Sequence, residues 1–162
     1  MDTTRPISLS ASVEDYLEAI VNLSEDGAKT VRSTDIASLL AVSKASVTGA
    51  LRLLRDKGLA VYRPYGAVRL TDLGQRIGRE VVQRHRILTS FFETVLGVEP
   101  DQAQEAACRV EHVVNPKILV QLTRFVEFVG QGRRHGVDVA GEFQRFCSSR
   151  SAARTRRLNT QI

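Results

Sequence analysis

The sequence predicts a mainly α chain: a winged helix-turn-helix domain followed by an all-helical second domain. Three observations lead there. Two short helical patterns are joined by a two-residue connection, the second opening on a serine; a hairpin pattern follows; and helical apolar spacing resumes beyond residue 75. The expected division is a winged helix-turn-helix domain over 1–75, a helical domain over 76–147 and a basic, disordered tail over 148–162.

Ser12, with Asp15 three residues on, has the form of a helix N-terminus, and Val13, Tyr16, Leu17, Ile20 and Leu23 share one face. Asp26-Gly27 ends this helix. Ser33 or Thr34 caps the next, whose apolar face is Ile36, Ala37, Leu39 and Leu40. After Ala41-Val42, Ser43 caps a third helix to Lys57, with Val47, Ala50, Leu51 and Leu54 inward and Gly58 as the stop. Residues 59–62 and 67–70 alternate about Pro64-Tyr65-Gly66 and form the wing. Thr71 caps a long helix to about Thr94, and residues 97–100 break it. Helices follow over 101–114 and 117–129, divided by Asn115-Pro116. Residues 130–136 read as a glycine-rich loop, with a last short helix over 139–146. Beyond Ser148 there is little to bury.

The chain has 162 residues and a net charge of +5, which favours phosphate backbones or anionic surfaces without fixing a fold. Placement says more. Between residues 43 and 69, Lys44, Arg52, Arg55, Lys57, Arg63 and Arg69 face a single acid, Asp56. Arg150, Arg154, Arg156 and Arg157 crowd the tail. No apolar stretch approaches the ~20 residues that span a bilayer, and no secretory pattern precedes Cys108 and Cys147. The expectation is a cytoplasmic protein with reduced thiols and no membrane partner. Cys147 reads as a packed residue and His135 as a loop residue.

A helix-turn-helix offers the N-terminal residues of its second helix to the major groove of double-stranded DNA. Here those are Ser43, Lys44, Ala45, Ser46 and Thr48, with Arg52 a turn further on and Thr34 on the preceding helix. The small hydroxyl residues suit close approach to base edges, while Lys44 and Arg52 suit phosphates. Arg63 and Arg69 flank the wing tip. A basic helical face alone is compatible with mere solvation; the order helix, turn, capped helix, hairpin is what favours DNA.

Cys108, Glu111 and His112 stand at i, i+3 and i+4 on one predicted helix, so a thiolate, a carboxylate and an imidazole share a face. The bland alternative is a small buried cysteine beside an incidental Glu-His pair. His85 on the preceding helix, and Asp15 and Glu18 on the first, add ligand types suited to a divalent metal.

The chain resembles the diphtheria toxin repressor and manganese transport regulator family of metalloregulators. The resemblance rests on Ser12-Val13-Glu14-Asp15-Tyr16-Leu17-Glu18-Ala19-Ile20, Thr34-Asp35-Ile36-Ala37, Ser46-Val47-Thr48, Gly58-Leu59 and Tyr65-Gly66. It continues through Leu70-Thr71-Asp72-Leu73-Gly74, Arg84-His85-Arg86 and Glu105-Ala106-Ala107-Cys108-Arg109-Val110-Glu111-His112. It implies a homodimer on a palindromic operator, with a metal-binding and dimerisation domain after the winged helix. It also implies a repressor of metal-uptake genes, with Asp15, Cys108, Glu111 and His112 as ligands of a primary metal and Glu18 and His85 as ligands of a second. The manganese branch has Glu in place of Cys108, and the iron branch has Met in place of Asp15. Thr89 and Gln104 replace a carboxylate and a histidine of the iron branch's ancillary site, and the SH3-like third domain of longer members is not expected. The oxygen and nitrogen ligands suit Mn²⁺ or Fe²⁺, while the thiolate admits Co²⁺ or Zn²⁺. The rival readings are a winged-helix regulator answering an organic ligand and a metal-dependent hydrolase. For the second, no residue stands out as a general base.

Overall fold

The computed structural model describes residues 9–25, 29–63 and 66–159, with side chains described as far as residue 149. The elements run α1 (Ala11–Ser24), α2 (Ser33–Leu39), α3 (Lys44–Asp56), β1 (Ala60–Val61), β2 (Arg69–Leu70), α4 (Asp72–Ser90), α5 (Pro100–Val110), α6 (Pro116–Arg134) and α7 (Val139–Asn159). One compact unit ends at Gln83 and the next begins at Arg84, within α4. The sequence places the division at residue 75; Ile77 of α4, just beyond it, packs on the first unit's core.

In the first unit α1 packs on α2 and α3. Leu17, Ile36, Val47, Leu51, Leu54 and Leu59 are fully buried in one core. All but Leu59, a wing residue, are positions that helical spacing assigns inward, whereas Leu39, assigned to the same face as Ile36, is exposed; burial of each such side chain is worth roughly 1.5–3 kcal/mol. The helix ends differ in detail from expectation. Ser10 rather than Ser12 takes the N-cap position of α1, without a side-chain cap hydrogen bond, and the predicted stop at Asp26-Gly27 lies outside the described residues. α2 starts after Arg32, whose backbone N–H donates to Asp35 Oδ2 at 3.0 Å. The acidic side chain three residues into the helix satisfies an orphan donor that a serine hydroxyl cannot reach from inside it.

The turn between α2 and α3 closes with Val42 N–H donating to the Ala37 carbonyl, and Ala41 sits in the left-handed region at φ 52°. Ser43 caps α3 as expected, its Oγ accepting from Ser46 N–H at 3.0 Å. At the far end Gly58 adopts φ 70°, and Leu59 N–H reaches back to the Leu54 carbonyl.

The wing is a short antiparallel pair with register Ala60↔Leu70 and Val61↔Arg69, extended by a bridge between Val31 and Val68. Its tip at Pro64-Tyr65 lies outside the described residues. Thr71 joins wing to helix: its Oγ1 donates to the Gly58 carbonyl and accepts from Gly74 N–H. Gly74 is required there, because a Cβ would sit 1.9 Å from the Leu59 carbonyl oxygen.

The second unit is helical. α4 passes into a π turn, Phe91–Val95, which divides two neighbouring rings between two small cores. Phe92 joins Leu88, Ala107 and Leu119, and Phe91 joins Val95, Val129 and Ala140. α6 continues through Gly130 and Gly132 to Arg134, where a loop is expected. Glycines cost about 1 kcal/mol each in a helix, but buried Val129 keeps the apolar spacing going on their N-terminal side. α7 likewise runs past Ser148 to Asn159; alanine and arginine there are good helix formers. Cys147 is exposed, not packed. Among the described residues no single helix is long and apolar enough to cross a membrane.

Candidate metal centre

The second unit concentrates its polar chemistry on Glu111, the C-cap residue of α5. Its side chain is fully buried, an expensive place for a carboxylate unless charge and hydrogen bonds meet it. Two imidazoles do. His85 of α4 brings Nδ1 to 2.7 Å from Glu111 Oε2. His112, the next residue along, has Nε2 at 3.4 Å from Oε1, within ion-pair range but without hydrogen-bond geometry. Oε1 therefore has no hydrogen-bond partner among the described residues.

The backbone of Glu111 is held as well. Arg84 Nη1 donates to its carbonyl oxygen at 3.3 Å, placing a cation at the negative end of α5. Consecutive residues of α4 thus hold one residue of α5, Arg84 by the main chain and His85 by the side chain. The second ring nitrogen of His85, Nε2, lies 2.7 Å from Gln104 Oε1. An amide oxygen only accepts, so that contact calls for a proton on Nε2, while the Nδ1 edge of the ring faces Glu111.

Of the expected ligands, the second unit therefore brings His85, Glu111 and His112 together. Cys108, one turn before Glu111, is exposed, which removes the small-buried-hydrophobe reading for that thiol. In the first unit Asp15 and Glu18 lie on α1 at i, i+3, both half-buried. A buried carboxylate with an imidazole beside each oxygen has the donor chemistry of a divalent-cation ligand. The sequence reading does not find Gln104 or Arg84 as working parts of this cluster; both act through partners 19 or more positions away in the chain.

The first unit carries the DNA-facing candidates. Lys44, Ala45, Ser46 and Arg52 of α3 are exposed, as are Ser43, Thr34, Arg63 and Arg69, and Thr48 is half-exposed. Four hydroxyls are partly committed: Ser43 Oγ to its cap, Ser46 Oγ to Ser43 Oγ at 2.9 Å, Thr48 Oγ1 as donor to the Lys44 carbonyl and Thr34 Oγ1 as donor to Asp35 Oδ1. Each keeps lone pairs for a further donor.

Comparison with known proteins accounts for both units. Residues 8–68 match a family described as "Iron dependent repressor, N-terminal DNA binding domain". Residues 71–137 match "Iron dependent repressor, metal binding and dimerisation domain". An uncharacterised HTH-type transcriptional regulator of Methanocaldococcus jannaschii is 31% identical over 74% of this chain and 95% of its own length. The HTH-type transcriptional regulator MntR of Bacillus pumilus is 30% identical over 79% of this chain and 88% of its own. Among solved structures, a manganese-dependent transcriptional repressor in complex with manganese superposes with a TM-score of 0.65 at 30% identity, over 72% of this chain. The chain spans about half of that structure's length, 53%.

Proposed function

Since the chain belongs to the iron-dependent repressor family, that of the diphtheria toxin repressor and the manganese transport regulator, we propose that it is a cytoplasmic, metal-dependent transcriptional regulator. It represses metal-uptake genes as a homodimer on a palindromic operator, and it is a regulator rather than an enzyme. The observation that carries this reading is Glu111, fully buried, met by His85 and His112, with one oxygen left over. The proposed working parts are the winged helix over 1–75, the metal-binding and dimerisation domain over 76–147 and a basic segment over 148–162.

The proposed ligands are Asp15, Glu18, His85, Cys108, Glu111 and His112, for Mn²⁺ or Fe²⁺, with Co²⁺ or Zn²⁺ as substitutes in vitro. When bound, the cation would supply positive charge to offset the negative charge of its carboxylate ligands. The histidines present neutral nitrogens, and Arg84 and Gln104 hold their partners in place. Asp15 and Glu18 share α1, which packs on α2 and α3. Restraint applied to α1 therefore passes to the recognition helix. In a dimer this sets the two copies of α3 to the spacing of successive major grooves, about 34–36 Å. Ser43, Lys44, Ala45, Ser46 and Thr48 meet the groove, while Thr34, Arg52, Arg63 and Arg69 meet the backbone beside it.

A second copy of the chain is proposed to dock on the outer face of α6. Ile118, Phe125 and Phe128 are exposed there around a groove of about 490 Å³, and α6 lies wholly within the residues that match the dimerisation domain.

Fluorescence anisotropy on operator fragments tests the reading, with Mn²⁺, Fe²⁺, Co²⁺, Zn²⁺ and chelator in turn. Metal should tighten DNA binding, and by linkage DNA should tighten metal binding by the same factor. Operator binding that ignores chelator and survives Glu111→Ala would hand the case to an organic effector.

A further inference from the structure

Gln104 is the side chain whose role the family resemblance leaves open. It stands on α5, seven residues before Glu111, which is two helical turns or roughly 10 Å of rise. His85 of α4 bridges that interval: Nε2 at 2.7 Å from Gln104 Oε1, Nδ1 at 2.7 Å from Glu111 Oε2. The ring is thus fixed at both ends by one helix.

The two contacts are not equivalent. A carboxylate accepts hydrogen bonds only, and so does the Gln104 carbonyl oxygen. An imidazole ligand needs one nitrogen with its lone pair free and the other carrying a proton, and the partner of the N–H decides which is which. In the metal-free chain each ring nitrogen faces an acceptor; with a cation on the Glu111 side, Gln104 Oε1 would keep the proton on Nε2. The nitrogen left to donate its lone pair is Nδ1, the one on the Glu111 side.

We propose that Gln104 is a positioning residue for metal binding: it holds the Nε2 proton of His85 and so presents Nδ1, beside Glu111, as the ligand atom. The residue does not touch the metal. It takes the part that a carboxylate or backbone carbonyl plays behind other ligating histidines. This inference rests on the metal-dependent reading above.

The test uses the full-length chain with histidines labelled with ¹⁵N and Cd²⁺ as the diamagnetic probe. In the wild type the His85 Nε2–H should give a slowly exchanging proton signal in the Cd²⁺-loaded state. Gln104→Leu should lose that protection and weaken Cd²⁺ and Mn²⁺ binding by roughly 10–100-fold. Gln104→Glu, which restores an acceptor, should return affinity to within a few-fold of wild type. In a His85→Ala background Gln104→Leu should change nothing further, because its whole effect passes through that ring. An equal loss in both backgrounds, or a Gln104→Leu chain that binds and protects Nε2–H as the wild type does, overturns the proposal. If the wild type binds no metal, or Glu111→Ala binds as the wild type does, the metal-dependent reading itself fails, and this one with it.

Discussion

Glu111 Oε1 and His112 Nε2 lie 3.4 Å apart on adjacent residues, one oxygen and one nitrogen brought to the same spot with no hydrogen bond between them. A fully buried carboxylate whose Oε1 accepts no hydrogen bond keeps part of its desolvation cost in the metal-free chain, His85 compensating only at Oε2. Glu111→Gln should therefore leave the metal-free melting temperature unchanged or raise it. The same variant should abolish the gain on adding metal, which for the wild type is about 2.7 kcal/mol at a hundredfold excess over Kd. Thermal melts with and without Mn²⁺ read both effects, and a metal-induced gain that persists in the variant contradicts the assignment.

Arg52 is exposed one turn beyond the N-terminal residues of α3, where a guanidinium meets phosphate rather than a base. Arg52→Ala should weaken binding to operator and to unrelated DNA by similar factors. The slope of log K against log salt should fall by about 1. Selective loss on the operator would instead make Arg52 a base reader.

Gly74 has the Leu59 carbonyl where a side chain would go. Backbone at both sides leaves no flexible group to yield, so Gly74→Ala should destabilise the first unit by about 2 kcal/mol or more. Urea denaturation measures this, and a neutral variant would mean that the wing moves freely against α4.

Ala41 has the opposite problem: a side chain at φ 52°, a conformation that costs an L-residue roughly 1–2 kcal/mol. Ala41→Gly removes this cost but adds freedom to the unfolded chain, at roughly 0.4–1 kcal/mol. The expected net result is a gain of up to about 1 kcal/mol with α3 and its DNA contacts unchanged, measured by the same denaturation and by anisotropy.

Phe128 is 57% exposed and Ile118 55% on α6, large apolar side chains left in water by the single chain. Phe128→Glu should shift sedimentation from dimer toward monomer and lower operator affinity at fixed protein concentration. Retention of the dimer would place the subunit contact on another face.

The helix-turn-helix was readable because its signals are local. Ser43, Gly58 and Thr71 each act on groups within a few residues or on the adjoining turn, and the spacing of Val47, Leu51 and Leu54 fixes the buried face. The pairing of Glu111 with His112 was readable for the same reason. What the chain does not advertise are contacts across helices. His85 meets Gln104 and Glu111 from 19 and 26 positions away, and no periodicity reports that. The π turn at Phe91–Val95 and the passage of α6 through Gly130 and Gly132 were hidden because packing, not propensity, decides them.

The double hold on Glu111 has a mechanical corollary. With Arg84 on its carbonyl and His85 on its carboxylate, the residue behaves as a pin through the last turn of α5: the head of the side chain cannot swing without tugging the peptide behind it. Only four residues separate that pin from Pro116, where α6 begins under its Asn115 cap. A disturbance at the carboxylate therefore has a short, stiff route to the helix that bears the exposed phenylalanines.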